Sequence, residues 1–167
     1  MRSSSQHGFS LLEILVVMTI MAVLTGTVVL GATGADKEKQ LKGIAERIAI
    51  RIEHARQYAL QRNTEWGVRL DGDDYRFVEF DAAERKWVEQ DYRPFVAERP
   101  QVPVRFYLNT EGIDLERYGK KDLPGIVLFS HGEATPFSWR VEGEWETDPW
   151  WINNDGLSAT TVDRERR

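Results

Sequence analysis

The chain has 167 residues, 41% hydrophobic and 29% charged, with a formal net charge of −5 and no cysteine. This length holds an anchor and one domain of about 130 residues, enough to bury a core. The lack of cysteine excludes disulfides and thiolate chemistry, and the acidic balance gives no general attraction to nucleic acid or anionic lipid.

The chain begins with a short polar leader, residues 1–8, that ends on Gly8. Phe9 follows, and Glu13 stands at the mouth of a stretch, 14–33, that carries no charge. At helical rise, about twenty residues span about 30 Å, the thickness of a bilayer's hydrocarbon core. A carboxylate drawn to the membrane centre costs about 2.5–3.5 kcal/mol. A plain single-pass anchor gains nothing from that carboxylate, whereas a helix whose glutamate must pair with something in the membrane does. A secretory signal peptide is a competing reading, with Thr33-Gly34-Ala35 as a small-residue cleavage site. Against it stand the length of the apolar stretch and the position of Glu13. Arg2 and the initial amine are the leader's full positive charges, which places the N-terminus in the cytoplasm and the rest outside the inner membrane.

Gly31, Gly34 and Asp36 mark the membrane exit. Each Gly weakens a helix by up to about 1 kcal/mol, so Gly26, Gly31 and Gly34 are candidate bending points. An amphipathic helix over 37–62 follows. Its apolar residues Leu41, Ile44, Ile48, Ile52, Ala55 and Ala59 recur at helical period and form one stripe. Lys42, Glu46, Glu53 and Arg56 are available for its wet side. Asn63 is the expected stop, with Arg62 near the negative end of the dipole. This helix is expected to continue the membrane helix.

From Glu65 onward the pattern is β. Trp66, Val68 and Leu70 alternate with polar residues, as do Val104, Phe106 and Leu108, and Phe137, Trp139 and Val141. Asp71-Gly72-Asp73-Asp74 predicts a hairpin between strands at 65–70 and 75–80. A polar loop, 130–136, joins strands at 126–129 and 137–141. Asn153-Asn154-Asp155-Gly156 predicts a second hairpin-like turn between 150–152 and 157–162. Pro94, Pro100 and Pro103 make the middle irregular. The fold class is α+β, a long N-terminal helix packed on antiparallel β-sheet. The expected organisation is a leader at 1–8, a transmembrane and assembly helix at 9–34, its amphipathic half at 35–62, a β domain at 63–162 and a charged, frayed tail at 163–167.

Little in the sequence points to chemistry. His7, His54 and His131 have no metal-ligand spacing. There is no G-x-S-x-G nucleophile motif and no phosphate-binding Gly-rich loop. Asp71, Asp73 and Asp74 lack the distal glutamate of a calcium loop and read as a turn. No catalytic residue, metal or cofactor is expected, and the chain is read as a non-enzyme. Among the tryptophans, Trp66 and Trp139 read as core. Trp145, Trp150 and Trp151 lie in a polar, turn-prone segment, where they either seal one end of the sheet or form a partner interface.

Gly8-Phe9-Ser10-Leu11-Leu12-Glu13 followed by an apolar helix resembles the class III signal of type IV pilin-like proteins. The resemblance implies cleavage between Gly8 and Phe9 by a prepilin peptidase and N-methylation of Phe9. It also implies that Glu13, at the fifth mature position, neutralises a neighbour's amino terminus within an assembled filament, as a buried carboxylate requires. Residues 55–60, 66–70, 75–77, Trp87 and 126–141 extend the resemblance to the H family of minor pseudopilins of type II secretion systems, while 142–154 depart from it. That family implies a pilin-like fold with two antiparallel sheets behind the helix, sandwich-like. It implies a periplasmic domain on an inner-membrane anchor, in a pseudopilus that helps move folded proteins through the outer membrane. There the subunit links a tip of other minor pseudopilins to the major pseudopilin shaft, in contact with the inner-membrane secretion platform. Two alternatives stay open. A minor pilin of a type IV pilus or DNA-uptake machine shares the leader, but for DNA handling needs a basic stripe that the acidic balance disfavours. A membrane-tethered periplasmic binding domain or hydrolase needs a pocket or catalytic set that the sequence does not show.

Overall fold

The structure is a computed structural model that describes residues 11–96, 100, 102–110, 123–144 and 148–166, the side chains of 23–35 excepted. Helix α1 (Leu11–Arg62) is continuous through the positions of Gly26, Gly31 and Gly34. It contains no proline. Glu13 lies in its first turn and Arg62 in its last, each favourable to the helix dipole. The helix ends as expected at Asn63, which takes a left-handed φ of 52° while Thr64 N–H donates to the Ala59 carbonyl at 3.2 Å. The chain divides into two compact units, Met1–Lys39 and Gln40–Arg167.

In the second unit the stripe of α1 is the floor of the core. Leu41, Ile48, Ile52, Ala55 and Ala59 are at most 1% exposed, and Ala45 and Ala49 widen the stripe. Among the described residues eight strands follow: β1 (Trp66–Asp71), β2 (Asp74–Asp81), β3 (Lys86–Glu89), β4 (Val104–Thr110), β5 (Ile126–Leu128), β6 (Phe137–Gly143), β7 (Trp150–Asn154) and β8 (Thr161–Asp163). They form two antiparallel four-stranded sheets, ordered β3-β2-β1-β5 and β4-β6-β7-β8. The fold is therefore α+β, a helix stripe packed on antiparallel sheet, as the sequence predicts.

The alternating residues of the first sheet (Trp66, Val68, Phe77, Ile126, Leu128) and of the second (Val104, Phe106, Trp139, Val141, Ile152) share one core with the helix stripe. Tyr75 of β2 joins the sheets, meeting Phe106 at 5.9 Å and Trp139 at 5.5 Å edge-on, a favoured aromatic geometry. Tyr58 of α1, Trp66 and Phe95 pack ring to ring at 4.7–5.5 Å.

The β1–β2 hairpin forms as expected, with Asp71 paired to Asp74 and Gly72 at φ 62° in the first turn position, where a side chain is disfavoured. Other expectations change. β3 was not read as a strand, because Trp87 is its one buried residue. Val78 and Val127 are fully buried on the outer face of the first sheet, where they pack with Trp87, Phe80, Leu123 and Phe129 in a second small core. Strand alternation alone misses this two-sided burial. The strands at 126–128 and 137–143 belong to different sheets, so the polar loop at 130–136 is a crossover between them. It first runs back along β5 through a Leu128–Ala134 bridge, and Val127 N–H donates to Thr135 Oγ1 at 2.6 Å. The turn after β7 begins later than expected, because Asn153 and Asn154 are buried strand residues. Leu157 is not in a strand and is 68% exposed. The tail is anchored rather than frayed up to Glu165: Asn153 Nδ2 donates to the Glu165 carbonyl at 3.0 Å, and Arg164 donates to the Asp148 carbonyl at 2.9 Å.

Replacing Ile52 with Ala is expected to destabilise the domain by about 2–5 kcal/mol through lost burial and a cavity. Replacing Ile50, which is 56% exposed, is expected to change it by less than about 0.5 kcal/mol. Urea unfolding followed by tryptophan fluorescence measures both.

Candidate assembly site

Gly8 and Phe9 lie outside the described residues. Glu13 is exposed in the first turn of α1. Around it the helix is apolar on every side. The consecutive residues Ile14, Leu15, Val16, Val17 and Met18 are each at least 45% exposed, and Leu11 is 89% exposed. Five consecutive helical residues cover the whole circumference, so this is not the one-sided stripe of a helix lying on its own domain. Thr19 hides its hydroxyl by donating to the Leu15 carbonyl at 2.8 Å, which leaves Glu13 as the charged group at the head of this apolar cylinder. Among the described residues no helix is long and apolar enough to cross a membrane. The stretch read at 14–33 runs on into residues whose side chains lie outside that set.

Trp145 is also outside the described residues. Trp150 and Trp151 are neighbours on β7 and face opposite sides of the second sheet. Trp150 packs against the main core, with the Lys42 ammonium 5.4 Å and the Arg164 guanidinium 4.2 Å from its ring centre. Trp151 lies on the outer face in a cross-strand row with Arg140 of β6 and Tyr107 of β4. The Arg140 guanidinium stacks 4.2 Å from Tyr107 and 5.9 Å from Trp151, and Tyr107 is 43% exposed. His54 is exposed. His131 stays in an exposed turn, where it stacks on Phe129 and lies 3.3 Å from Glu133. No group of three or more His, Cys, Asp or Glu among the described residues is placed to hold a metal.

Glu53 and Arg56, read from the sequence as available for the wet side, are only partly exposed and bind backbone of distant loops. Arg56 donates from Nε to the Gly132 carbonyl at 2.6 Å, from Nη1 to the Ser158 carbonyl at 2.7 Å and from Nη2 to the Leu157 carbonyl at 2.7 Å. Glu53 accepts from Thr160 N–H at 2.9 Å and Thr160 Oγ1 at 2.6 Å, and lies 3.7 Å from Arg56. The planar guanidinium fork suits several acceptors held at fixed angles. It ties α1 to the crossover loop and to the loop after β7. The readable signal was an i, i+3 Glu–Arg pair at the edge of the apolar stripe, where long side chains reach over onto neighbouring backbone.

The loop at 155–160 is fixed from its other side as well. Asp155 accepts from Leu157 N–H at 2.9 Å, Ser158 N–H at 2.7 Å and Ser158 Oγ at 2.9 Å. Gly156, at φ 92°, donates to Asn154 Oδ1 at 2.7 Å, and a Cβ there would meet the Ala134 carbonyl at 2.9 Å. The bonds from the Ser158 and Leu157 amides hold the Asp155 carboxyl down at about 2, against an ordinary value of 3.8. Because the folded value is the lower one, its stabilisation is complete above the unfolded value and lost as pH falls through the folded one. The stability difference between the native chain and Asp155→Asn should therefore hold at neutral pH and shrink as pH falls from about 4 to about 2. Paired urea titrations at several pH values check this.

Residues 3–29 match the family described as the prokaryotic N-terminal methylation motif, and residues 45–160 match that of type II transport protein GspH. The chain is 32% identical to type II secretion system protein H of Pseudomonas aeruginosa over 100% of each chain. It is 26% identical to the protein of that description from Aeromonas hydrophila, over 82% of this chain and 81% of the relative. In fold it is similar to the crystal structure of the minor pseudopilin EpsH from the type II secretion system of Vibrio cholerae, with a TM-score of 0.60 at 15% identity, covering 74% of this chain and 95% of that one. The solution structure of Escherichia coli GspH gives 0.56 at 16% identity, covering 71% and 84%. This chain belongs to the type II transport protein GspH family.

Proposed function

We propose that this minor pseudopilin is a structural subunit that joins the tip minor pseudopilins to the major pseudopilin shaft, and that Glu13 drives its incorporation. The observation that carries this reading is the lone carboxylate at the head of a helix segment exposed and apolar on all sides. Such a surface is stable only within lipid or among other apolar helices. A carboxylate taken there requires a compensating charge. The amino group released at Phe9 by cleavage after Gly8 supplies one of opposite sign, and the methylation motif at 3–29 supports that processing.

The sequence of events follows from this chemistry. The precursor inserts in the inner membrane with its N-terminus cytoplasmic. Prepilin peptidase removes residues 1–8 and Phe9 is methylated. Residues 9–34 move from lipid into the helical core of the pseudopilus as Glu13 pairs with a neighbour's amino terminus. Residues 35–62 hold the β domain, 63–162, in the periplasm on one buried stripe. Trp145, Trp150 and Trp151 are proposed contacts with a neighbouring subunit, Trp151 through its outer-face row with Arg140 and Tyr107. The role is one of assembly rather than catalysis, without nucleic acid as partner.

Glu13→Ala should leave the urea midpoint of the domain unchanged and lower recovery of the full chain with the other pseudopilins by about tenfold or more, as expected for loss of a buried charge partner. Normal recovery together with normal secretion would remove Glu13 from this role.

A further inference from the structure

The sequence holds two Asp-Gly steps, Asp71-Gly72 and Asp155-Gly156, and the fold gives them opposite surroundings. Such a step carries its own reaction. The glycine amide nitrogen attacks the side-chain carboxyl carbon of the aspartate, because no Cβ on the following residue stands in the way. A new N–Cγ bond closes a succinimide ring, and the carboxyl hydroxyl departs with the amide proton as water. A second water then reopens the ring at either carbonyl, giving aspartate or isoaspartate. Nothing is oxidised or reduced, and water is the one co-reactant.

Asp155-Gly156 is closed to this chemistry on both sides. The Asp155 carboxylate accepts from the Leu157 and Ser158 amides and from the Ser158 hydroxyl. Held at about 2, it seldom forms the neutral hydroxyl that must leave. Gly156 is buried, and its N–H is committed to Asn154 Oδ1 at 2.7 Å. Its carbonyl accepts from Ala134 N–H at 2.8 Å, which fixes the next peptide plane as well. Turning the amide and the carboxyl onto each other breaks several of these bonds, and each leaves a partner unsatisfied. Asp71-Gly72 has no such restraint. Both residues are exposed at the tip of the β1–β2 hairpin. Among the described residues no hydrogen bond holds the Asp71 carboxylate or the Gly72 N–H. A Cβ at Gly72 would meet nothing within 4 Å, so the amide is open to approach. The turn also demands glycine there, at φ 62°, and so keeps in place the residue that admits the attack.

We propose that Asp71-Gly72 is a site of spontaneous isoaspartate formation in the folded protein, while the bonded loop after β7 protects Asp155-Gly156. The position gives the modification a structural consequence. An isoaspartyl residue adds one methylene to the main chain at Asp71, whose pairing with Asp74 closes the β1–β2 ladder. Tyr75 follows directly, paired to Leu70, and its ring joins the two sheets through Phe106 and Trp139. The lengthened turn therefore bears on the contact between the sheets. At the other step a Cβ on residue 156 would meet the Ala134 carbonyl at 2.9 Å, so the fold needs glycine there too. The polar bonds around 155–158 thus have a second role, chemical protection of a step that the packing retains.

The test incubates the full chain at neutral pH in water enriched in heavy oxygen. Reopening of the ring leaves one solvent oxygen in the peptide, so every event is marked, whichever product forms. Trypsin, used afterwards in ordinary water, cuts after Arg69, Arg76, Arg140 and Arg164, so peptides 70–76 and 141–164 report the two steps separately. Fragment masses assign the label to Asp71 or Asp155. In the native chain Asp71 should take up label about tenfold faster than Asp155 or more, because breaking one such hydrogen bond before attack costs about that factor. In the chain unfolded in guanidinium the two should label alike. Asp71→Glu, which keeps the charge but disfavours the ring, should remove the label from 70–76 and leave the urea midpoint unchanged. The proposal is overturned if Asp71 stays unmarked in the native chain while the unfolded chain marks it, since the hairpin then holds the step closed. It is equally overturned if Asp155 labels as fast as Asp71 in the native chain, or if 70–76 is still marked in Asp71→Glu.

Discussion

One helix carries two incompatible hydrophobic patterns, and the rest of the molecule is arranged around that fact. Between Leu41 and Ala59 the apolar residues of α1 form one stripe, and a single β domain satisfies it. Between Leu11 and Met21 they surround the helix and are exposed on every side. The first pattern makes a folded domain, and the second leaves an apolar surface exposed all round the helix. Full burial of an isoleucine or leucine side chain contributes about 1.5–3 kcal/mol. The Leu41, Ile48 and Ile52 contacts therefore matter on the scale of a small domain's total stability.

The polar side chains beside the stripe have a different task. They close the two sheets onto the helix at points where loops, rather than strands, meet it. Arg56 satisfies three carbonyls that would otherwise be partly desolvated, and Glu53 satisfies an amide and a hydroxyl. Such bonds contribute modestly when formed and cost more when one partner is removed. Their effect here is specificity of arrangement: the crossover between sheets and the loop after β7 each have one position relative to the amphipathic half of α1.

Much of this was legible in the sequence because it rests on periodicity. The stripe of α1, the alternating strands around Trp66, Val104 and Trp139, and the Asp71–Asp74 turn are local patterns, and they appear where spacing placed them. What was not legible depends on partners distant in the chain. Val78 and Val127 are buried on the outer face because Trp87 and Leu123 return to cover them. β3 carries too few apolar residues to show a period. Glu53 and Arg56 look like ordinary surface charges until loops about a hundred residues later arrive against them. Asn153 and Asn154 suggest a turn by composition, but their amides pair with the tail and the loop that follow, which makes them buried strand residues. Glu13 is conspicuous in the sequence because a single charge interrupts an apolar pattern.

The most direct test of the account is the intact mass and N-terminal residue of the protein recovered from host membranes. The account predicts a chain that starts at Phe9 and carries one added methyl group, because the amino group exposed there is the partner that Glu13 requires. A chain that still starts at Met1, or that starts near Asp36, would contradict it: the first lacks the new amino terminus, and the second lacks the helix that carries Glu13.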